Sequence, residues 1–466
     1  MDAFKKLKSD KNHAYLIPNN WKVQMISRVL FILAHQYNNG SFYSTYKKLK
    51  ENQYKQYDYL RGEQDKKLQN LIKFSYENVP YYHNLLNGLK LKPDDIKKVE
   101  DLEKLPILDK ETIIKNWEDF KPKSLNEMRY QKNTTGGSTG KPLNYRLLKK
   151  DKFLSQCLLC RGWGYGGYEL GDKVIFLAGS SLDVGNKKNI SSLLLEKADN
   201  FKKLSSFDMD NNSMEKYVNI INKSNYKFLR GYASSIDFLS SYIENNGLSV
   251  SSPRAIFTTA EKLYPHMRKR IENAFDCNVF DTYGLNDGGI SAYECSEHSG
   301  LHIDTERSIM EVVDDTNSPI EKGVGRILAT SLENYAMPFI RYDTEDLGNI
   351  IDDVCGCGRK YKLLKEITGR QQEMLQTPER KYIHGEFFTH IIWEITGVKE
   401  FQVVQEKLDR INIKLVADKN FDKNQLDYIK EVIGRRSETW NVEFEFVENI
   451  DRTKAGKYKF VINKLK

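Results

Sequence analysis

Cysteine is scarce in this chain of 466 residues, six against 27 tyrosines and 22 phenylalanines. So few thiols, with no leader ahead of them, exclude a disulfide-built secreted fold and predict a reducing, cytoplasmic setting. Proline is scarce too, at 11. No Pro/Gly/Ser linker, internal repeat or low-complexity tract interrupts the chain, which excludes solenoid and disordered architectures. Residues 1–20 hold lysines but no apolar stretch behind them, so no secretory signal is visible. Long hydrophobic runs are missing as well. The longest near the start, residues 29–34, is about a third of the ~20 residues a membrane span needs. It reads as one face of a buried helix, with an interfacial membrane contact as the alternative. No block of one charge stands out: 72 Lys+Arg face 64 Asp+Glu, net +8, with both signs interspersed. That argues against a nucleic-acid binder and suits a polyanionic small molecule equally well.

What is present, 39% hydrophobic residues with 12% aromatics, is enough for sizeable cores, and the length predicts two or three domains. Residues 22–115 read as mostly helical, with turns at Asn78-Val-Pro80 and Leu105-Pro106. From about Gln131, short apolar runs are separated by glycines. Residues 174–178 and 255–258 read as buried strands, with amphipathic helices over 213–223 and 234–245 between them. The alternation predicts an α/β core with a largely parallel sheet. Further strands are expected over 323–332 and 339–351. The C-terminal stretch has another rhythm: strands over 401–405 and 411–416, a helix over 424–434, and a strand over 440–447. The expected fold is therefore a large N-terminal α/β domain, residues 1–368 and helical to about 125, followed by a small α+β domain over 369–466.

The strongest chemical signal is Asn133-Thr-Thr-Gly-Gly-Ser-Thr-Gly-Lys-Pro142. Gly136, Gly137 and Gly140 tolerate positive φ and carry no side chain, so the backbone can wrap closely around phosphate oxygens. Thr134, Thr135, Ser138 and Thr139 add hydroxyls, and Lys141 adds a positive charge. Pro142 after the lysine excludes a Walker A loop. Taken alone, the stretch also fits an ordinary Gly/Ser surface loop.

In its context the stretch resembles the phosphate loop of the adenylate-forming superfamily, which includes acyl-coenzyme A synthetases, peptide-synthetase adenylation domains and luciferases. The chain is most similar to the phenylacetate–coenzyme A ligase branch and its capsule-biosynthesis relatives, through Asn78-Val-Pro-Tyr-Tyr-His83, Leu105-Pro-Ile-Leu-Asp-Lys110 and Gly231-Tyr-Ala-Ser-Ser235. The resemblance assigns roles residue by residue. Thr259-Ala-Glu261 resembles a Gly-Gly-Glu turn that supports the nucleotide, with Glu261 kept and both glycines replaced. In Asp281-Thr282-Tyr283-Gly284-Leu-Asn-Asp287, Tyr283 would stack on adenine and Asp287 would hold Mg²⁺, with Asn286 and Asp287 replacing the usual Thr and Glu. In Arg341-Tyr-Asp-Thr-Glu-Asp346, Asp346 would accept hydrogen bonds from the ribose diol, and Glu345 replaces a glycine. Thr368-Gly-Arg370 resembles the hinge, with Arg370 near phosphate or ribose and Gln372 or Glu373 at the pivot. In Arg452-Thr-Lys-Ala-Gly-Lys457, Lys457 would balance charge between carboxylate and α-phosphate, with Lys454 and Lys459 as stand-ins.

A second constellation points to metal. Cys355-Gly-Cys357 is a C-x-C pair in a turn, and Cys295 lies upstream with His298 and His302 close behind. Thiolates with imidazole are the set Zn²⁺ prefers, and Cys295, His302, Cys355 and Cys357 form the best four, His298 being the alternate. The plain alternative is two unconnected loops with free thiols. Cys157 and Cys160 sit in an apolar helical stretch and read as small buried hydrophobes.

The resemblance implies an ATP- and Mg²⁺-dependent ligase in which a carboxylate attacks the α-phosphorus and an acyl-adenylate forms. Coenzyme A then takes the acyl group. The other expectations are an amine or hydroxyl on a sugar or carrier as acceptor, transfer of AMP itself, and a nucleotide binder without catalysis. The carboxylic acid stays unnamed; nucleic acid and a membrane span are not expected.

Overall fold

The computed structural model describes residues 21–38, 41–135, 143–178, 200–206, 209, 211–370, 374–379, 382–384, 386–393, 395–452 and 458–465. Helices lead, as expected: α1 (Trp21–Asn38), α2 (Phe42–Asn52), α3 (Tyr57–Asn78), α4 (Pro80–Gly88) and α5 (Lys110–Lys115). Pro80 opens α4 at a position where no amide hydrogen is needed. Asp109 caps α5 by accepting the Thr112 amide at 2.7 Å.

Next come a hairpin of β1 (Tyr130–Thr134) and β2 (Asn144–Leu148), and α6 (Lys149–Trp163). The α/β core then alternates β3 (Val174–Ala178), β4 (Phe201–Ser205), α7 (Asn211–Lys223), β5 (Phe228–Tyr232), α8 (Ala233–Asn245), β6 (Ala255–Thr259), α9 (Pro265–Phe275) and β7 (Val279–Phe280). These five strands form one parallel sheet in the order β4-β3-β5-β6-β7. Along β5 the side chains alternate between two cores. Phe228 packs with α1, α2 and α6, and Leu229 packs with α7, α8 and α9. A sheet covered on both faces needs the near-continuous apolar strands seen in the sequence.

The expectation of a largely parallel sheet covers half of the core. A second sheet of seven strands is antiparallel throughout, in the order β11-β12-β13-β14-β10-β9-β8. Its strands are β8 (Thr282–Gly284), β9 (Ser291–Glu294), β10 (Leu301–Ile303), β11 (Ser308–Val313), β12 (Gly323–Ser331), β13 (Tyr342–Ile351) and β14 (Leu363–Arg370). Asp281 is the single residue between the two sheets, following β7 and preceding β8. A large core joins this second sheet to α3, α4 and the Leu105–Leu108 turn.

The C-terminal part holds a hairpin of β15 (Met374–Gln376) and β16 (Tyr382–His384), then α10 (Glu386–Trp393), β17 (Val398–Lys407), β18 (Arg410–Ala417), α11 (Gln425–Gly434), β19 (Asn441–Phe446) and β20 (Val461–Asn463). Its four-stranded mixed sheet, β19-β18-β17-β20, closes its own core with α10 and α11. The architecture is thus a large N-terminal α/β unit and a small α+β C-terminal domain. The expected paired strands and helix are there; the hairpin, α10 and β20 were not anticipated. Among the described residues no helix is long and apolar enough to cross a membrane.

Candidate active site and thiolate cluster

The parallel strands present their carboxyl ends on one side, where open α/β sheets bind ligands. Gly231, near the end of β5, admits no side chain: a Cβ there would lie 2.5 Å from the Leu177 carbonyl oxygen of β3. One strand over, the end of β6 turns through Ala260 at φ 67° and delivers Glu261. The Glu261 carboxylate accepts two amides, Ser234 in the first turn of α8 at 3.0 Å and Tyr458 from the C-terminal domain at 3.0 Å. A carboxylate at a helix N-terminus is stabilised by the orphan amides there.

The Asp281–Asp287 segment crosses between the sheets beside Glu261. Asp281 accepts the Thr258 hydroxyl at 2.6 Å and the Thr282 amide at 3.0 Å, and the Thr282 hydroxyl donates to the Thr258 carbonyl at 2.6 Å. Burial raises the Asp281 carboxyl to about 6. Asp281 and Thr282 therefore clamp β8 to β6. Tyr283 follows, with its hydroxyl donating to Asp346 Oδ2 at 2.9 Å. The two residues that the resemblance assigns to adenine and ribose are thus neighbours in space, 63 positions apart in sequence. Asp346 also stands opposite Arg370 in the β13–β14 register.

Asp287 is half-buried, and Tyr342 donates a hydrogen bond to its Oδ2 at 3.1 Å. Burial raises its carboxyl, while Lys110 works in the other direction. Lys110 itself pairs with Glu345 at 2.6 Å. Lys110 closes the Leu105–Lys110 motif, and its ε-ammonium joins the acidic group of Asp287, Glu345 and Asp346. Asn286, in place of the usual Thr, accepts from Arg307 at 3.4 Å, and Arg307 is bound by both oxygens of buried Asp151 at 2.7 and 2.8 Å. Neither Arg307 nor Asp151 carries a sequence signal, since the pair spans 156 positions.

Two substitutions of expected glycines keep a glycine-like backbone: Ala260 at φ 67° and Glu345 at φ 63°. An L-residue in the left-handed region costs about 1 kcal/mol. Ala260→Gly is expected to raise unfolding stability by about 1 kcal/mol in urea melts. Glu345→Gly is expected to gain less, because it also removes the carboxylate paired with Lys110.

The loop residues Gly136, Gly137, Ser138, Thr139, Gly140 and Lys141 lie outside the described residues, as do Gln372, Glu373, Lys454 and Lys457 and the side chain of Arg370. The loop's stem is described. Thr135 exchanges hydrogen bonds with Leu143, its amide to the carbonyl at 2.9 Å and its Oγ1 accepting the Leu143 amide at 2.9 Å. Thr134 donates to Asn144 Oδ1 at 2.7 Å. The residues on either side of the 453–457 stretch are likewise held. The Arg452 guanidinium lies over the rings of Phe238 (4.7 Å) and Tyr458 (4.4 Å), and Tyr458 meets Phe238 edge-on.

The thiolate and imidazole groups converge. One ligand atom from each of Cys295, His302, Cys355 and Cys357 falls within 4.8 Å of all the others. Cys295 and Cys355 sulfurs are 3.5 Å apart, and Cys357 Sγ lies 3.3 Å from His302 Nε2. Tetrahedral zinc with Zn–S bonds of about 2.3 Å needs such edges near ~3.8 Å, so the donor set and its spacing fit. Burial pushes the Cys295 thiol up to about 12; burial works the same way on Cys357, yet Arg359's amide and guanidinium hold that thiol below its usual value. His298, the alternate ligand, is not in the group. It turns to Glu294 (3.0 Å), both of whose oxygens also accept from Arg268 Nη2 at 3.0 and 2.8 Å. The short loop after Cys295, with His298 itself at φ 49°, carries that side chain away from the sulfurs. Arg359, next to the cluster, lies 3.8 Å over Tyr165 and donates to Gln53 at 3.0 Å, tying the site to the helical N-terminal region. Cys157 and Cys160 are buried in α6 as expected.

The model of the CapK C-terminal domain family matches residues 375–464. The protein CapK of Staphylococcus aureus is 27% identical over 462 residues, covering 98% of this chain and 99% of that protein. A phenylacetate–coenzyme A ligase of Thermus thermophilus is 26% identical over 327 residues, 68% of this chain and 71% of its own. Among solved structures, a 2-hydroxyisobutyryl-CoA ligase in its postadenylation state, in complex with R3-HIB-AMP, superposes with a TM-score of 0.69 at 17% identity, covering 88% of this chain and 91% of that one.

Proposed function

This chain is a member of the adenylate-forming superfamily, on the branch of the phenylacetate–coenzyme A ligases and their capsule relatives, and from that premise we propose that it is an AMP-forming ligase that activates a carboxylic acid with ATP and passes the acyl group to coenzyme A. The observation that carries the reading is the meeting of Tyr283 with Asp346, and of Glu261 with the segment after Lys457, at the carboxyl ends of the parallel strands.

The reaction follows from these groups. Tyr283 offers its ring to adenine, and Asp346 presents carboxylate oxygens to the ribose diol. The Thr134–Lys141 loop supplies amides and hydroxyls for the phosphates. Asp287 is the carboxylate fitted to hold Mg²⁺, which when bound with ATP offsets phosphate charge; Lys110 and Tyr342 set the position and basicity of that carboxylate. The substrate carboxylate attacks the α-phosphorus, the bond to pyrophosphate breaks, and Lys457 balances the charge that builds between acyl oxygen and phosphate. A domain boundary at Thr368-Gly369-Arg370 then allows the C-terminal domain to swing and admit the acceptor. The thiolate cluster is fitted for one zinc ion in a structural role, tying together the loops that follow β9 and β13.

A second reading concerns the acceptor. Similarity to the capsule relative runs along 98% of this chain, against 68% for the phenylacetate–coenzyme A ligase. On this second reading an amine or hydroxyl of a sugar or carrier takes the acyl unit in place of coenzyme A. Trapping with hydroxylamine tests both layers. An acyl-hydroxamate is expected with ATP and one acid in the absence of coenzyme A, and coenzyme A is expected to divert the product to a thioester. Hydroxamate formation that coenzyme A leaves untouched would move the acceptor to the second reading. No hydroxamate with any acid, with ADP in place of AMP as product, would overturn adenylation itself.

A further inference from the structure

We infer that the outer face of α1 is a membrane-surface element that rests on anionic lipid headgroups. The helix is anchored by one side only. Phe31 and His35 are buried and pack against the ring of Phe42, at 5.9 and 4.7 Å between centroids. The reading of residues 29–34 as one face of a buried helix therefore holds for Phe31 alone among its large side chains that are fully enclosed. On the opposite side Met25, Ile26, Val29, Leu30 and Leu33 recur three and four positions apart, each between 49% and 59% exposed. Single exposed apolar residues are ordinary on any surface, but a continuous stripe of five on one helix marks a contact.

The charge around this stripe says which contact. Residues 21–50 contain Lys22, Arg28, Lys47, Lys48 and Lys50 and no Asp or Glu. Over residues 1–50 there are nine Lys/Arg against two Asp, leaving 63 basic against 62 acidic residues for the rest of the chain. Seven of the eight net positive charges thus precede residue 51, so the interspersed charge described above holds only beyond that point. Lys47, Lys48 and Lys50 are exposed on α2, whose Phe42, Tyr46 and Leu49 face inward. Arg28 is also exposed, with one long contact to Glu169 at 3.7 Å. A second copy of this face would bring Arg28, Lys47, Lys48 and Lys50 up against their like, with the exposed acids Glu51 and Glu169 too few to balance them. A bilayer with anionic lipid answers both features, since aliphatic side chains enter the headgroup boundary while lysines meet phosphate.

The test is flotation of the full chain with vesicles of equimolar phosphatidylglycerol and phosphatidylcholine, against vesicles of phosphatidylcholine alone. Binding is expected with the anionic vesicles, weakened at high salt. Each lost lysine should lower the affinity about fivefold, so Lys47→Gln/Lys48→Gln should bind roughly 25-fold more weakly. Leu30→Asp/Leu33→Asp should abolish binding and leave the thermal unfolding midpoint in place, because both side chains are exposed. Equal binding to the two vesicle types, or no loss in the aspartate variant, would overturn the inference. So would light scattering that shows a dimer of the native chain which Leu30→Asp/Leu33→Asp converts to a monomer, since the stripe would then be covered by a second copy.

Discussion

Lys457→Ala is expected to lower carboxylate-dependent exchange of pyrophosphate into ATP by about 100–1,000-fold, with no change in the unfolding midpoint. The expectation rests on how the neighbouring chain is held. Arg452 is stacked on Phe238 and Tyr458, and the Tyr458 amide is bound by Glu261, whose other oxygen takes the amide of Ser234. The residues that flank the stretch carrying Lys457, Arg452 and Tyr458, are therefore held beside α8 and Glu261. A cation placed there in advance stabilises charge that develops only in the transition state, so its removal acts on rate more than on binding. Transfer from a synthetic acyl-adenylate to the acceptor should be nearly unaffected, because that step no longer builds charge on an attacked α-phosphorus. A loss of less than about threefold in exchange, with Lys454→Ala or Lys459→Ala taking the larger effect, would move the role to a neighbouring lysine.

Cys355→Ser is expected to abolish binding of the zinc ion proposed for the cluster and to lower unfolding stability by about 4 kcal/mol. Cys355 is buried, and its sulfur lies 3.5 Å from that of Cys295 and 3.4 Å from the Ser299 hydroxyl. The three thiols and His302 come from three places: the end of β9, strand β10 and the turn before β14. A single ion would join all of them, and stabilisation by an ion that binds only the folded state disappears with its ligand. Elemental analysis should find one zinc per native chain and none in the variant. Cys160→Ser, altered in the apolar core of α6, should keep the metal. A native chain free of zinc after expression in zinc-replete medium would refute the assignment.

Much of this was legible in the sequence because the information was local. The β3 and β6 runs are short, apolar and rich in β-formers, and the repeats of α7 and α11 fall at helical spacing. The thiolate cluster was legible because its ligand types are rare and two of them form a C-x-C pair. The antiparallel sheet was not legible, since its pairings join distant stretches such as Leu301 with Leu364, and no local pattern distinguishes its strands from parallel ones. His298 illustrates the same limit. Ligand chemistry put it in the set, and a left-handed turn took it out. Lys110 and Arg307 reach the Asp287 region from far away in sequence, so only the folded chain brings them there. Residues 29–34 read equally as one face of a buried helix or as an interfacial contact because apolar periodicity reports a face and not what covers it.

Pyrophosphate exchange into ATP, run against a panel of aryl, alkyl, hydroxy and amino acids with Lys457→Ala alongside, is the most direct test of adenylation. One class of acid should drive exchange, and the variant should lose it. ATP binding without exchange by any acid, or exchange that proceeds at the same rate with no acid added, would contradict carboxylate activation as the function of this chain.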